Sequence, residues 1–220
     1  MQNSSNISST DTHKDTHKVT TYPNVKLQQN EVLRRNIIEA SASIMQRFGP
    51  EAVTIRRVAE KMECPTKIIY KLFGSKEGLA KELFMEGCKL LSDTFQDVPV
   101  QTNLKQYLLD IGQAYWNFSK EYTNYYMVMF GGAFSEFKPE EDSSEAIVTA
   151  LKQVAALISN AIEQGLILEK DPLLVVNLVW SSLHGVIHLY LGGHIHNEST
   201  AKILYDRTLL NLVHTFFQGQ

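Results

Sequence analysis

The chain is 220 residues long, 44% hydrophobic and 20% charged, with a formal net charge of −3. That length allows one large domain or two small ones, and the apolar content is enough to bury a core. Two cysteines, Cys64 and Cys88, exclude a disulfide framework and lack metal-ligand spacing, so they read as small hydrophobes rather than a thiol sensor. Charge is unevenly spread. Residues 1–90 carry fourteen Lys/Arg against ten Asp/Glu, and residues 91–220 carry seven against fourteen. A basic front and an acidic back suit a nucleic-acid reader joined to a part that stays off nucleic acid. No apolar run approaches the roughly 18 residues that span a bilayer, and the N-terminus lacks a signal-peptide pattern. A soluble, cytoplasmic protein with no membrane contact is expected.

Residues 1–29 are rich in Ser, Thr, Asn and His and poor in large apolar groups, which predicts a flexible tail. His13, Lys14, His17, Lys18 and Lys26 lie in it. From Asn30 to Phe48, Leu33, Ile37, Ala40, Ile44 and Phe48 recur at helical spacing, and Gly49-Pro50 ends the helix. Thr54 is an N-cap for a helix whose apolar stripe is Ile55, Val58, Ala59 and Met62. Glu63-Cys64 forms a break. Pro65 suits the first position of the next helix. In that helix Ile68, Ile69, Leu72 and Phe73 form the buried side, leaving Thr66, Lys67, Tyr70 and Lys71 outward. Gly74 ends it and Ser75 caps another helix, to about Thr94. Lys81, Glu82, Glu86 and Lys89 fall at its solvent positions. Two short helices with one outward polar face have the pattern of a helix-turn-helix, in which the second helix enters the major groove.

The run from Val53 to Lys61, followed by Ile69-Tyr70-Lys71-Leu72-Phe73-Gly74-Ser75-Lys76-Glu77-Gly78-Leu79, resembles the DNA-binding domain of the tetracycline-repressor (TetR) family of bacterial transcriptional regulators. Ile37, Ala40, Phe48 and Gly49 extend the match. Two departures bear on the turn: Glu63 stands where the family usually has Gly, and Pro65 where it usually has a Ser cap. The resemblance implies DNA contacts from Thr54, Arg56, Thr66, Lys67, Tyr70, Lys71 and Lys76. Thr54, Tyr70 and Lys76 would hold phosphates, and Thr66, Lys67 and Lys71 would face the groove. It implies domains at 30–90 for DNA and 91–220 for effector binding and dimerisation, and an operator-bound homodimer joined through its last two helices.

Beyond a break at residues 97–102, Asn103 caps a helix to about Ser119. Glu121 to Phe130 is a short helix dense in Tyr, Met and Phe. Gly131-Gly132 and the acidic run 137–142 predict a loop. A long helix follows from Ser143 or Ser144 to about Gln164. Asp171-Pro172 opens a helix to about Leu191, apolar over much of its circumference, and the last helix runs from about Glu198 to Phe217. Surplus apolar surface on the last two helices calls for a partner beyond the core, met by a two-fold contact with a second chain. No strand pattern or repeat is evident, so the fold class is all-α.

The aromatic residues of the body suit an apolar ligand site, with Trp116, Tyr126, Phe130, Trp180 and His184 as its candidate residues and an unidentified small-molecule effector as its ligand. Trp180, His184 and Gly185 resemble a Trp–His–Gly signature in one TetR subgroup. His184 and His188, spaced i, i+4, leave a metal or haem sensor as the alternative. No metal or cofactor is expected on the main reading, because no acidic or thiol ligand accompanies the pair. A helical protein-interaction module is the less favoured third reading. Searches for a nucleophile elbow, a phosphate-cradling glycine loop, a dinucleotide fingerprint and a zinc-protease motif all fail, so no catalytic residue is assigned.

Overall fold

The computed structural model describes residues 21–132, 134 and 141–217. Nine α-helices account for almost all of these: α1 (Tyr22–Phe48), α2 (Ile55–Lys61), α3 (Thr66–Phe73), α4 (Lys76–Gln96), α5 (Leu104–Glu121), α6 (Thr123–Phe130), α7 (Glu141–Glu163), α8 (Pro172–Leu191) and α9 (Glu198–Phe216). A short 3₁₀ turn, Pro50–Ala52, follows α1, and no strand occurs among the described residues. The fold is all-α, as the sequence predicts.

The first helix starts eight residues before the expected Asn30. Pro23 lies in its first turn, where a missing N–H costs nothing, and the added turns are exposed, their Tyr22, Val25 and Leu27 included. Tyr22, Val25 and Leu27, spaced three and then two apart, do not mark one helical face and so leave no periodic signal. The rest of the expected tail lies outside the described residues, as do most of residues 133–140. Glu141 and Asp142, expected in the acidic loop, belong to α7.

Helices α1 to α3 and the start of α4 enclose a small apolar centre of Ile37, Ile44, Val53, Val58, Ile69, Leu79 and Leu83, all nearly inaccessible. Arg34 of α1 clamps this head. Its guanidinium lies 4.8 Å from the Phe73 ring centroid, bonds the Leu72 carbonyl and pairs with Glu82 of α4. Glu82 is thereby half-buried, and so are Lys81 and Glu86, while Lys89 is at the solvent position expected of all four. Helix α4 continues without a break through the expected boundary near residue 90 and packs on α5, α6 and α7. The buried residues of head and body form one continuous core.

In the body, α8 inserts Val175, Val176, Val179, Leu183 and Ile187 into the core. Its opposite side leaves Leu174, Leu178 and Leu189 exposed, and α9 exposes Ile203, Leu204 and Leu210 beside it. By length and composition, residues 145–163 and Pro172–Leu191 each match a membrane span. That corrects the expectation of no such run. Burial of one side of α8 in the core accounts for Val175, Val176, Val179, Leu183 and Ile187, while the leucines of its other side stay exposed in the subunit.

Candidate functional site

The turn between α2 and α3 sets the aim of α3. Thr54 caps α2, its hydroxyl oxygen accepting from Arg57 N–H at 3.2 Å. At the other end Glu63 N–H bonds the Glu60 carbonyl at 3.2 Å and Cys64 N–H bonds the Ala59 carbonyl at 3.0 Å. These paired bonds are a Schellman closure, which places the residue after the cap in the left-handed region. That residue is Glu63, at φ 50°, the one non-glycine positive φ among the described residues. The chain thus keeps a glycine-type turn with a glutamate in it. Pro65 is the N-cap of α3, extended at φ −63° and ψ 140°, one position earlier than expected. Its ring offers no side-chain acceptor. The helix begins on its carbonyl, which accepts from Ile68 N–H at 3.0 Å.

Helix α3 buries Ile69 and Phe73, with Ile68 and Leu72 partly covered. Thr66, Lys67, Tyr70 and Lys71 are exposed, Tyr70 at 51%. At 3.6 residues per turn these four occupy about 140° of the helix circumference, one continuous face. Thr54 and Arg56 are exposed at the start of α2. Arg56 Nε pairs with Glu60 at 2.9 Å, both side chains well exposed, a contact worth only a few tenths of a kcal/mol. Lys76 is different: it is half-buried at the first turn of α4, with Nζ 5.7 Å from the ring centroid of Phe134.

In the body, α5, α6 and α8 bring Tyr115, Tyr126, Phe130, Trp180 and His184 together. The Tyr126 hydroxyl lies 2.7 Å from His184 Nδ1, and the Tyr115 hydroxyl 3.3 Å from the same nitrogen. Trp180 Nε1 donates to the Tyr115 hydroxyl at 3.1 Å. The Phe130 ring meets His184 at 5.1 Å and Trp180 at 5.8 Å, centroid to centroid. Burial, and then the charge of His188, holds the His184 imidazole below its ordinary pKa, so it is neutral at neutral pH. Burial also pushes the Tyr115 and Tyr126 phenols well above their usual range.

Four of the five expected ligand residues meet here, and Trp116 does not. Its ring packs on Tyr205 at 5.0 Å and Tyr190 at 6.1 Å, under Lys202. Adjacent helical positions point about 100° apart, so Tyr115 takes the place expected of Trp116. The side chains fill their own cluster. The space beside them is an apolar void of about 40 Å³. The metal alternative gains nothing here: His184 Nδ1 faces two phenols, and among the described residues no three His, Cys, Asp or Glu gather. Cys88 is buried, its thiol pushed up to about 12.

Two family models match. Residues 37–83 match "Bacterial regulatory proteins, tetR family", and residues 108–212 match "Tetracyclin repressor-like, C-terminal domain". The chain belongs to the TetR family. Proteins of the TetR family bind DNA and dimerise, and the chain is accordingly a DNA-binding transcriptional regulator. Among curated proteins no sequence matches. Solved structures share the fold. A Rhodococcus protein of unknown function is 16% identical, with TM-score 0.72 over 84% of this chain and 96% of its own. The TetR regulator PfmR of Thermus thermophilus is 19% identical, with TM-score 0.61 over 83% and 99%. The fatty acid degradation regulator FadR of Bacillus halodurans is 16% identical, with TM-score 0.61 over 80% and 94%.

Proposed function

We propose that the chain is a ligand-released repressor that works as a homodimer in the cytoplasm and reads two half-sites of a palindromic operator. The observation that carries this reading is the outward face of α3. It is a rigid, apolar-backed rod presenting Thr66, Lys67, Tyr70 and Lys71. Thr66, Lys67 and Lys71 read bases, while Thr54, Arg56, Tyr70 and Lys76 hold phosphates. Residues 30–90 form the DNA-binding part and 91–220 the effector and dimer part, with α4 as the mechanical link between them. The effector meets Tyr126, Phe130, Trp180 and His184, with Tyr115 completing that wall. The exposed leucines of α8 and α9 support the dimer, since an isologous four-helix contact would cover both faces at once.

A titration of salt against DNA affinity tests the division of labour. Lys76→Ala weakens binding to every sequence and lowers the salt slope by about one, whereas Lys67→Ala mainly relaxes base preference. An unchanged slope in Lys76→Ala removes the phosphate role from that residue. The Phe134 ring then becomes the natural resting place of the ammonium group.

A further inference from the structure

Two arginines of the head are committed to carboxylates. Arg34 pairs with Glu82, and Arg56 with Glu60 at 2.9 Å. Three other cations are not. Arg47 lies in the last turn of α1, and Arg57 and Lys61 lie one turn apart on α2. None of the three pairs with a carboxylate among the described residues. They line one cleft of about 600 Å³ between the end of α1 and the outer side of α2. Glu60 is the only acid lining it, and its carboxylate is already held by Arg56. The cleft is therefore strongly positive, and nothing within the subunit neutralises it.

Phe48 organises this cleft. Its side chain is 50% exposed, so it serves the core poorly, yet two guanidinium groups lie on it. Arg57 Cζ stands 4.0 Å from the ring centroid and Arg47 Cζ 5.2 Å. A guanidinium resting on a ring keeps its N–H fork free at the edge, and that fork matches phosphate oxygens two at a time. The ring also restrains both arginines before any anion arrives, which lowers the entropy lost on binding. Lys61 adds a point charge beside them. A cationic edge of this length suits a run of phosphates better than a single small anion. It also borders the proposed DNA contacts, because Arg57 N–H donates to the Thr54 hydroxyl oxygen at 3.2 Å.

We propose that Arg47, Arg57 and Lys61, set on the Phe48 platform, form an additional phosphate-binding edge through which the end of α1 grips the DNA backbone next to the phosphate assigned to Thr54. This rests on the half-site reading above and deepens it, since it gives α1 a direct part in DNA binding. The edge adds affinity but no base preference, because phosphates carry no sequence information.

The test is the salt dependence of DNA affinity for the full-length chain, measured by fluorescence anisotropy on two duplexes of equal length. One is the palindrome from upstream of the chain's own gene, the other a random sequence. Each phosphate contact contributes about 0.9 to the slope of log affinity against log salt, so Arg47→Gln/Arg57→Gln lowers the slope by about two per head on both duplexes. The ratio of palindrome to random affinity stays within about threefold, because no base contact is lost. Phe48→Leu keeps the charges and the slope but weakens both duplexes about two- to fivefold, through loss of the platform. Lys152→Gln, exposed on α7 of the body, leaves slope and affinity unchanged and so controls for net charge. If Arg57→Gln fails to fold by circular dichroism, Arg47→Gln/Lys61→Gln, at two exposed positions, is read in its place with the same expected drop. An unmoved slope in these charge variants, an equal drop in Lys152→Gln, or a loss of base preference with random binding intact overturns the proposal. The half-site reading fails separately: a wild-type chain that does not prefer the palindrome, with the slope on random DNA still falling in the variants, keeps the edge and sinks the operator.

Discussion

Glu63 carries the sharpest residue-scale consequence. Its φ of 50° places an ordinary side chain in the left-handed region that the Schellman closure demands. That conformation costs a non-glycine residue about 1–2 kcal/mol, part of which glycine would lose again through its greater unfolded-chain entropy. Glu63→Gly should therefore raise stability by about 0.5–1 kcal/mol in a urea titration. A loss of stability would mean that the carboxylate makes a compensating contact. His184 gives a pH prediction. Its folded pKa lies below the ordinary 6.5. Above that pH the imidazole is neutral in both states and contributes nothing. Below it the unfolded chain binds a proton first, so stability falls as pH drops through 6.5. His184→Gln should flatten that part of the fall between about pH 7.5 and 5.5, and an unchanged slope would place the titration elsewhere.

At the level of elements, the start of α4 is fixed by Gly78. A Cβ there would stand 1.9 Å from the Phe73 carbonyl oxygen, which is backbone and cannot swing aside. Gly78→Ala should force α3 and α4 apart and cost about 1–3 kcal/mol, read from the denaturation midpoint. A neutral effect would show that the two helices shift freely. The face of α3 was legible in the sequence because its apolar positions recur at helical spacing within one short segment. Sequence alone does not separate the N-cap from the first helical position at Pro65, since Pro is compatible with both. The extra turns of α1 leave no helical signal, since their Tyr22, Val25 and Leu27 are exposed and share no single face. Trp116 and Tyr115 show the limit in the body. Periodicity finds a helix rich in aromatics but cannot phase two adjacent rings against a core whose other walls are distant in sequence. Tyr115 declared itself only when α5, α6 and α8 were packed together.

For the whole molecule, the exposed stripe of α8 passes Leu174, Leu178, Ser181 and Leu189, with Gly185 beside Ser181 at i+4. A Cβ at Gly185 meets no atom within 4 Å inside the subunit. The subunit alone gives no steric reason for glycine there, but a second α8 crossing closely would. Gly185→Leu should leave the helical circular dichroism of the chain intact and shift it from dimer to monomer in sedimentation velocity. A fully dimeric variant would move the two-fold axis off this stripe. A monomer, in turn, should lose the paired reading of two half-sites, because each head then binds with its own weak affinity.

The decisive measurement is the binding of labelled DNA from the region upstream of the chain's own gene, followed by fluorescence anisotropy at about 0.15 M salt against random-sequence competitor. A preference of about a thousandfold or more for one palindromic duplex, lost in Lys67→Ala, is the expected result. Equal affinity for the palindrome and the competitor would contradict a sequence-reading role for the face of α3.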